Sequence, residues 1–167
     1  MPGKTKKLVL AALMAALSCV TTMLITIPLP WKGYLNLGDC IVLAAGWILA
    51  PGYGFFAAAL GSALADIFSG YALYAPATFL IKGLMALIAC YGYRLLHKKI
   101  HRLPARILSG ITAEILMVLG YFVFEGFLYG FAPSLVSIPA NGLQGGACLI
   151  LGIALMEIFV KTKIISE

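Results

Sequence analysis

The chain is a succession of long apolar runs whose positive charges lie almost entirely at the ends of those runs. A membrane-spanning helix needs about 20 consecutive apolar residues. Runs of that order extend from Leu8 to Ile27, from Ala77 to Leu96, from Ile107 to Tyr129 and from Ala140 to Val160. Shorter ones cover Cys40 to Ala50 and Tyr53 to Ser69, separated by Pro51-Gly52. Of 167 residues, 62% are hydrophobic and 11% charged, against about 45–50% and about 25% in a soluble domain. That surface cannot be coated for water, and the chain is too aliphatic to be disordered. The expected fold is an all-α integral membrane bundle of six helices, one domain over residues 1–167, with no room for a nucleotide-binding domain.

The net charge of +6 is a matter of orientation rather than of nucleic-acid binding. Lys4, Lys6 and Lys7 precede the first run, Arg94, Lys98, Lys99, Arg102 and Arg106 cluster in one loop, and Lys161 and Lys163 follow the last run. Basic residues flanking spans mark the cytoplasmic side. With six spans all three clusters fall on one side, and both termini are cytoplasmic. Reading runs two and three as one broken helix gives five spans, which separates the clusters. The first run resembles a secretory signal but is long for one, and is read as a retained span. Cys19, Cys40, Cys90 and Cys148 all lie in apolar stretches without metal-ligand spacing, and are read as packing residues.

Given this orientation, polar residues of five spans converge on the outer half: Asp39, Asp66, Lys82, Glu125, and Asn141 with Gln144, while Glu114 lies deeper. A charge at the bilayer centre costs about 2.5–3.5 kcal/mol on insertion scales, so these groups are expected to face inward and pair. Lys82 is expected to pair with one of the acids, Asp66 or Glu125 on the structural reading. Asp39 suits an N-cap of the second span. The outer loops add Trp31, Tyr34, Tyr71, Tyr74 and Tyr129, which suit either an interfacial aromatic belt or the walls of a pocket for a small ring compound. Ala11/Ala15 and Ala12/Ala16 on the first span, and Ala57, Gly61 and Ala65 on the third, place small residues where helix backbones can approach closely. No P-loop, H-E-x-x-H or G-x-S-x-G occurs, and neither an enzyme nor a cofactor is expected.

GYLNLGD (Gly33 to Asp39), LAPGYGFFAAALGSALADIFSGY (Leu49 to Tyr71) and YAPATFLIKGLMALI (Tyr74 to Ile88) give the chain a further likeness. It resembles the substrate-binding S components of energy-coupling factor (ECF) vitamin transporters, in the branch linked to riboflavin and the thiamine precursor hydroxymethylpyrimidine. The resemblance implies a multi-pass plasma-membrane subunit that captures a vitamin from outside under a lid, here around Trp31 to Asp39. It further implies docking on a membrane coupling subunit carried by two ATPase subunits. The family's A-x-x-x-A contact with that subunit matches Ala11-Ala15 or Ala12-Ala16. Asn36 and Asp39 are expected as hydrogen-bonding groups toward the vitamin. Tyr71 and Tyr74 are expected to stack or hydrogen-bond, and Lys82, Glu125 and Asn141 to add polar contacts. The other readings are a stand-alone secondary transporter and a structural membrane protein without a ligand.

Overall fold

The structure is a computed structural model describing residues 3–28 and 34–162. Trp31, Lys163 and part of the expected lid lie outside the described residues. The elements are α1 (Lys4–Leu24), β1 (Thr26–Pro28), β2 (Tyr34–Asn36), α2 (Asp39–Ile48), α3 (Pro51–Phe68), α4 (Ala75–Leu96), α5 (Arg102–Tyr129), α6 (Phe131–Ser134) and α7 (Ser137–Lys161). The fold is helical as expected, with one addition. The first run stops being helical at Leu24, and Thr26–Pro28 pairs antiparallel with Tyr34–Asn36 in a two-stranded hairpin. The β-branched Thr26 and Ile27 favour extended backbone, and the ring of Pro28 cannot prolong a helix.

The break between α2 and α3 has a local cause. Ala50 precedes a proline and is extended, at φ −67° and ψ 150°, because the proline ring disfavours helical geometry one residue earlier. Pro51 then opens α3 where its missing N–H costs nothing. Pro104 sits equally harmlessly in the first turn of α5, which begins at Arg102 rather than near Ile107. The last helix starts at Ser137, three residues before the expected boundary.

Packing runs in the order α1, α3, α4, α5, α7, with α2 inside against all five. All nine residues from Asp39 to Trp47 are buried. A helix apolar on every face belongs in the interior of a bundle, and ten residues span only about 15 Å. Among the described residues, four stretches are long and apolar enough to cross a membrane: α1, α4, α5 and residues Phe131–Lys161. Their outward faces carry exposed Leu13, Leu17, Leu80, Ile115, Leu143 and Ile150, the side chains a bilayer would solvate.

The helix ends gather into two layers. At the basic end, the start of α1 lies by the α2–α3 turn, where Leu8 and Ala11 share a groove with Ala50 and Gly52. Arg94 at the end of α4 donates to Leu49 O at 3.4 Å. Arg106, fully buried, reaches Glu157 of α7 at 3.1 Å and lies over the Tyr93 ring. The opposite end carries the hairpin and the aromatic turns.

The small residues of α3 serve packing within the chain. A Cβ on Gly61 would sit 2.4 Å from Ala15 O, so only glycine admits this approach of α1 and α3. Ser18 and Ser62 hydrogen-bond across the seam at 3.2 Å. On α1, Ala11 is buried and Ala15 half-buried toward α3, whereas Ala12 and Ala16 are exposed.

Candidate functional site

The hairpin end is built around one buried ion pair. Asp39, at the start of α2, is fully buried and receives the Lys82 ammonium of α4 on Oδ1. Gln144 of α7 donates Nε2–H to Asp39 Oδ2 at 2.7 Å, so both carboxylate oxygens are satisfied. The Lys82 ammonium also lies 5.2 Å from the centroid of the Tyr121 ring, where the negative face of an aromatic attracts a cation. This corrects two expectations. Lys82 pairs with Asp39, not with Asp66 or Glu125. Asp39 is not an N-cap either: Gly38 holds that position, no side chain caps the helix, and the Asp39 carboxylate turns inward.

The hairpin is fastened over this pair by side chains of two helices, α3 and α7. Gln144 Oε1 accepts from the backbone N–H of Asn36 at 2.9 Å, so one amide joins β2 to the ion pair. Asn36 turns its own Oδ1 to the N–H of Gly38 at 2.9 Å, an Asx-type turn that leads the chain into α2. Tyr34 donates its hydroxyl to Asp66 Oδ1 at 2.6 Å. Burial, with Asp66 beside it, pushes the Tyr34 phenol up from its ordinary value, which keeps it a donor.

Between hairpin and helices lies a pocket enclosing about 30 Å³. Its aromatic wall is a run of rings, Tyr34 and Tyr71 with centroids 4.6 Å apart and Tyr71 and Tyr74 at 6.4 Å, with Phe124 packed on Tyr74 at 5.3 Å. Its polar wall holds Asn36, Asp66, Glu125, Asn141 and Gln144. Thr78 and Tyr121, joined by a 3.0 Å hydroxyl–hydroxyl hydrogen bond, complete it. Tyr74 donates to Glu125 Oε1 at 3.4 Å. The structure thus places five of the expected contact residues on the pocket wall: Asn36, Tyr71, Tyr74, Glu125 and Asn141. Asp39 and Lys82 lie behind it. Tyr121 and Thr78 went unremarked in the sequence, although Tyr121 falls one helical turn before Glu125 and so shares its face.

A second concavity lies at the basic end. Leu8, Ala11, Ala12 and Ala15 of α1, with Tyr53, Phe56 and Leu60 of α3, line an almost wholly apolar groove of about 600 Å³.

These features define a class: an integral membrane helical bundle with an aromatic and polar pocket at one end and an apolar groove near the other. A family model described as the ECF-type riboflavin transporter, S component, matches residues 3–161. The chain belongs to that family, whose members are substrate-binding subunits of ECF transporters. An uncharacterized protein of the gap 3′ region of Pyrococcus woesei is 36% identical over 144 residues, covering 85% of this chain and 93% of that protein. A solved S component of a bacterial ECF transporter superposes with a TM-score of 0.76 at 23% identity. It covers 96% of this chain and 98% of its own, and shows the shared fold.

Proposed function

We propose that the chain is the riboflavin-capturing subunit of an ECF importer in the plasma membrane. It crosses the membrane six times as a single binding domain, with both termini and the basic loop cytoplasmic. The observation that carries this reading is the pocket at the hairpin end, set in a chain that matches the riboflavin S component family throughout. A flavin offers a flat apolar face, which suits the rings of Tyr34, Tyr71 and Tyr74. It also offers a rim of hydrogen-bonding atoms, which suits Asn36, Glu125 and Asn141. A pyrimidine vitamin such as hydroxymethylpyrimidine presents a smaller version of the same chemistry.

Pockets for drug-sized ligands occupy about 300–1,000 Å³, and the enclosed space here is about 30 Å³. Capture therefore includes an outward movement of the hairpin, with release of Tyr34 from Asp66 and of the Asn36 N–H from Gln144. These bonds re-form as the lid closes. The Asp39–Lys82 pair stays in place as the floor support.

Delivery uses the other end. The exposed Ala12-Ala16 frame and the adjoining apolar groove suit close approach of a coupling-subunit helix. That subunit is driven in turn by two ATPases, and the chain itself carries no ATP motif.

The test is purification from riboflavin-rich medium, mass spectrometry of the bound small molecule, and titration of ligand-freed protein by flavin fluorescence. Saturable one-to-one quenching with riboflavin recovered from the preparation is the expected result. A tightly bound pyrimidine instead would move the assignment within the family. A preparation empty of any heterocycle and silent in titration would favour the structural reading, with which the narrowness of the pocket is consistent.

A further inference from the structure

Glu114 lies outside the vitamin pocket, twelve residues into the 28-residue α5. At 1.5 Å per residue it is about 18 Å from the helix start, deep in the apolar slab. It is 7% exposed, and neither carboxyl oxygen has a hydrogen-bond partner among the described residues. The carboxyl lies against the backbone of α7, where a Cβ on Gly145 would fall 2.9 Å from Oε2. It lines a groove of about 290 Å³ between α5 and α7, shared with Ile111, Ile115, Val118 and Leu119 of α5 and with Leu149 and three glycines of α7. The groove is almost purely apolar and opens toward the bilayer face.

The charged and titratable groups around it are few. Asp39 and Cys40 come from α2, Lys82 from α4 and Cys148 from α7. The nearby ammonium is already committed to Asp39, and Gln144 donates to the same aspartate, not to Glu114. Two carboxyl groups therefore share one cation. An ionised carboxylate without donors in an apolar medium is so costly that such groups neutralise instead.

We propose that Glu114 is a membrane-embedded proton-binding site, held as a neutral carboxylic acid and reached from the lipid phase through the α5–α7 groove. The bound proton leaves the Asp39–Lys82 pair electrically balanced. Glycines on α7 leave the carboxyl room without supplying a side-chain donor. The acids of the vitamin pocket, Asp66 and Glu125, differ on both counts: each accepts a tyrosine hydrogen bond, and each faces the hairpin end.

Lipophilic carbodiimides read this chemistry directly. The carboxyl proton moves to a carbodiimide nitrogen while the carboxyl oxygen adds to the central carbon. The O-acylisourea so formed rearranges to a stable N-acylurea. Membranes containing the full chain are treated at neutral pH with dicyclohexylcarbodiimide or with a water-soluble carbodiimide, and the peptides are mapped by mass spectrometry. The expected result is one N-acylurea at Glu114 with the lipophilic reagent and none there with the water-soluble one. In parallel, the infrared spectrum of wild type shows a protonated carboxylic acid carbonyl band that is lost in Glu114→Gln. A Glu114 peptide untouched by the lipophilic reagent, or one marked only by the water-soluble reagent, overturns the proposal. So does loss of a carboxylate band, rather than an acid band, in Glu114→Gln. The mapping uses wild type and stands even where the variant fails to fold.

Discussion

Gln144 donates to Asp39 Oδ2 at 2.7 Å with one end of its amide and accepts from the N–H of Asn36 at 2.9 Å with the other. A side chain of α7 thereby ties the surface hairpin to the buried charge of α2. Gln144→Leu removes both bonds and strips one oxygen of a buried carboxylate. A hydrogen bond to a charged group is worth about 1.5–3 kcal/mol, so the apo protein melts earlier. The hairpin also loses a fastening on its inner strand. Riboflavin dissociation, followed by flavin fluorescence after dilution, rises by up to roughly tenfold, because the neutral Asn36–Gln144 bond that holds the closed lid is worth about 0.5–1.5 kcal/mol. Unchanged dissociation in a destabilised variant would make Gln144 a support for Asp39 alone.

Lys82→Met leaves Asp39 as an uncompensated buried anion. Removing one partner of a buried pair costs about 3–5 kcal/mol, and thermal unfolding in detergent should show it plainly. Because Lys82 lies behind the pocket wall, the folded fraction should bind riboflavin with little change. Adding Asp39→Asn to Lys82→Met removes the stranded charge and restores much of the loss. Failure of the double variant to recover any stability would mean that Lys82 matters through packing on Tyr121 rather than through charge.

The proposed orientation is checked with single cysteines in a background lacking the four native ones. Leu73→Cys and Lys98→Cys both lie at exposed positions, in the turn before α4 and the loop after it. A membrane-impermeant maleimide should label position 73 in intact cells and position 98 only after permeabilisation. Labelling of both from one side would refute the alternating arrangement.

Ala12 and Ala16 face outward on α1, whereas Ala15 carries the carbonyl that approaches Gly61. Ala12→Leu with Ala16→Leu should leave flavin binding by the purified subunit within a few-fold of wild type. It should sharply reduce uptake in cells by holding the coupling-subunit helix away. Loss of binding together with uptake would assign these alanines to folding of the chain itself.

Much of this was legible in the residues themselves. Hydropathy and the placement of lysines and arginines outlined the helices; helix counting brought Glu125 and Asn141 to the end where the outer loops put Tyr71 and Tyr74, and Asn36 came with the family resemblance. The pairing of Lys82 was not legible. Depth along an axis says nothing of rotation about it, and Asp39, Asp66 and Glu125 stood at similar heights. The hairpin was missed because three-residue strands carry too short an alternation to be told from a turn. Tyr121 and Thr78 looked like ordinary span residues. Only the convergence of α4 and α5 makes their hydroxyls meet.

The enclosure of α2 bears on how the chain is made. The Asp39 carboxylate is synthesised 43 residues before its ammonium partner and 105 before its amide partner. A nascent chain that has delivered α1, α2 and α3 to the membrane holds an acid with neither. The segment is also too short to settle across the bilayer alone, so its final seat is available only once α4 and α7 have arrived. The bundle can thus close around α2 only after α7 has been made, and a product truncated before Gln144 leaves Asp39 Oδ2 without its amide partner.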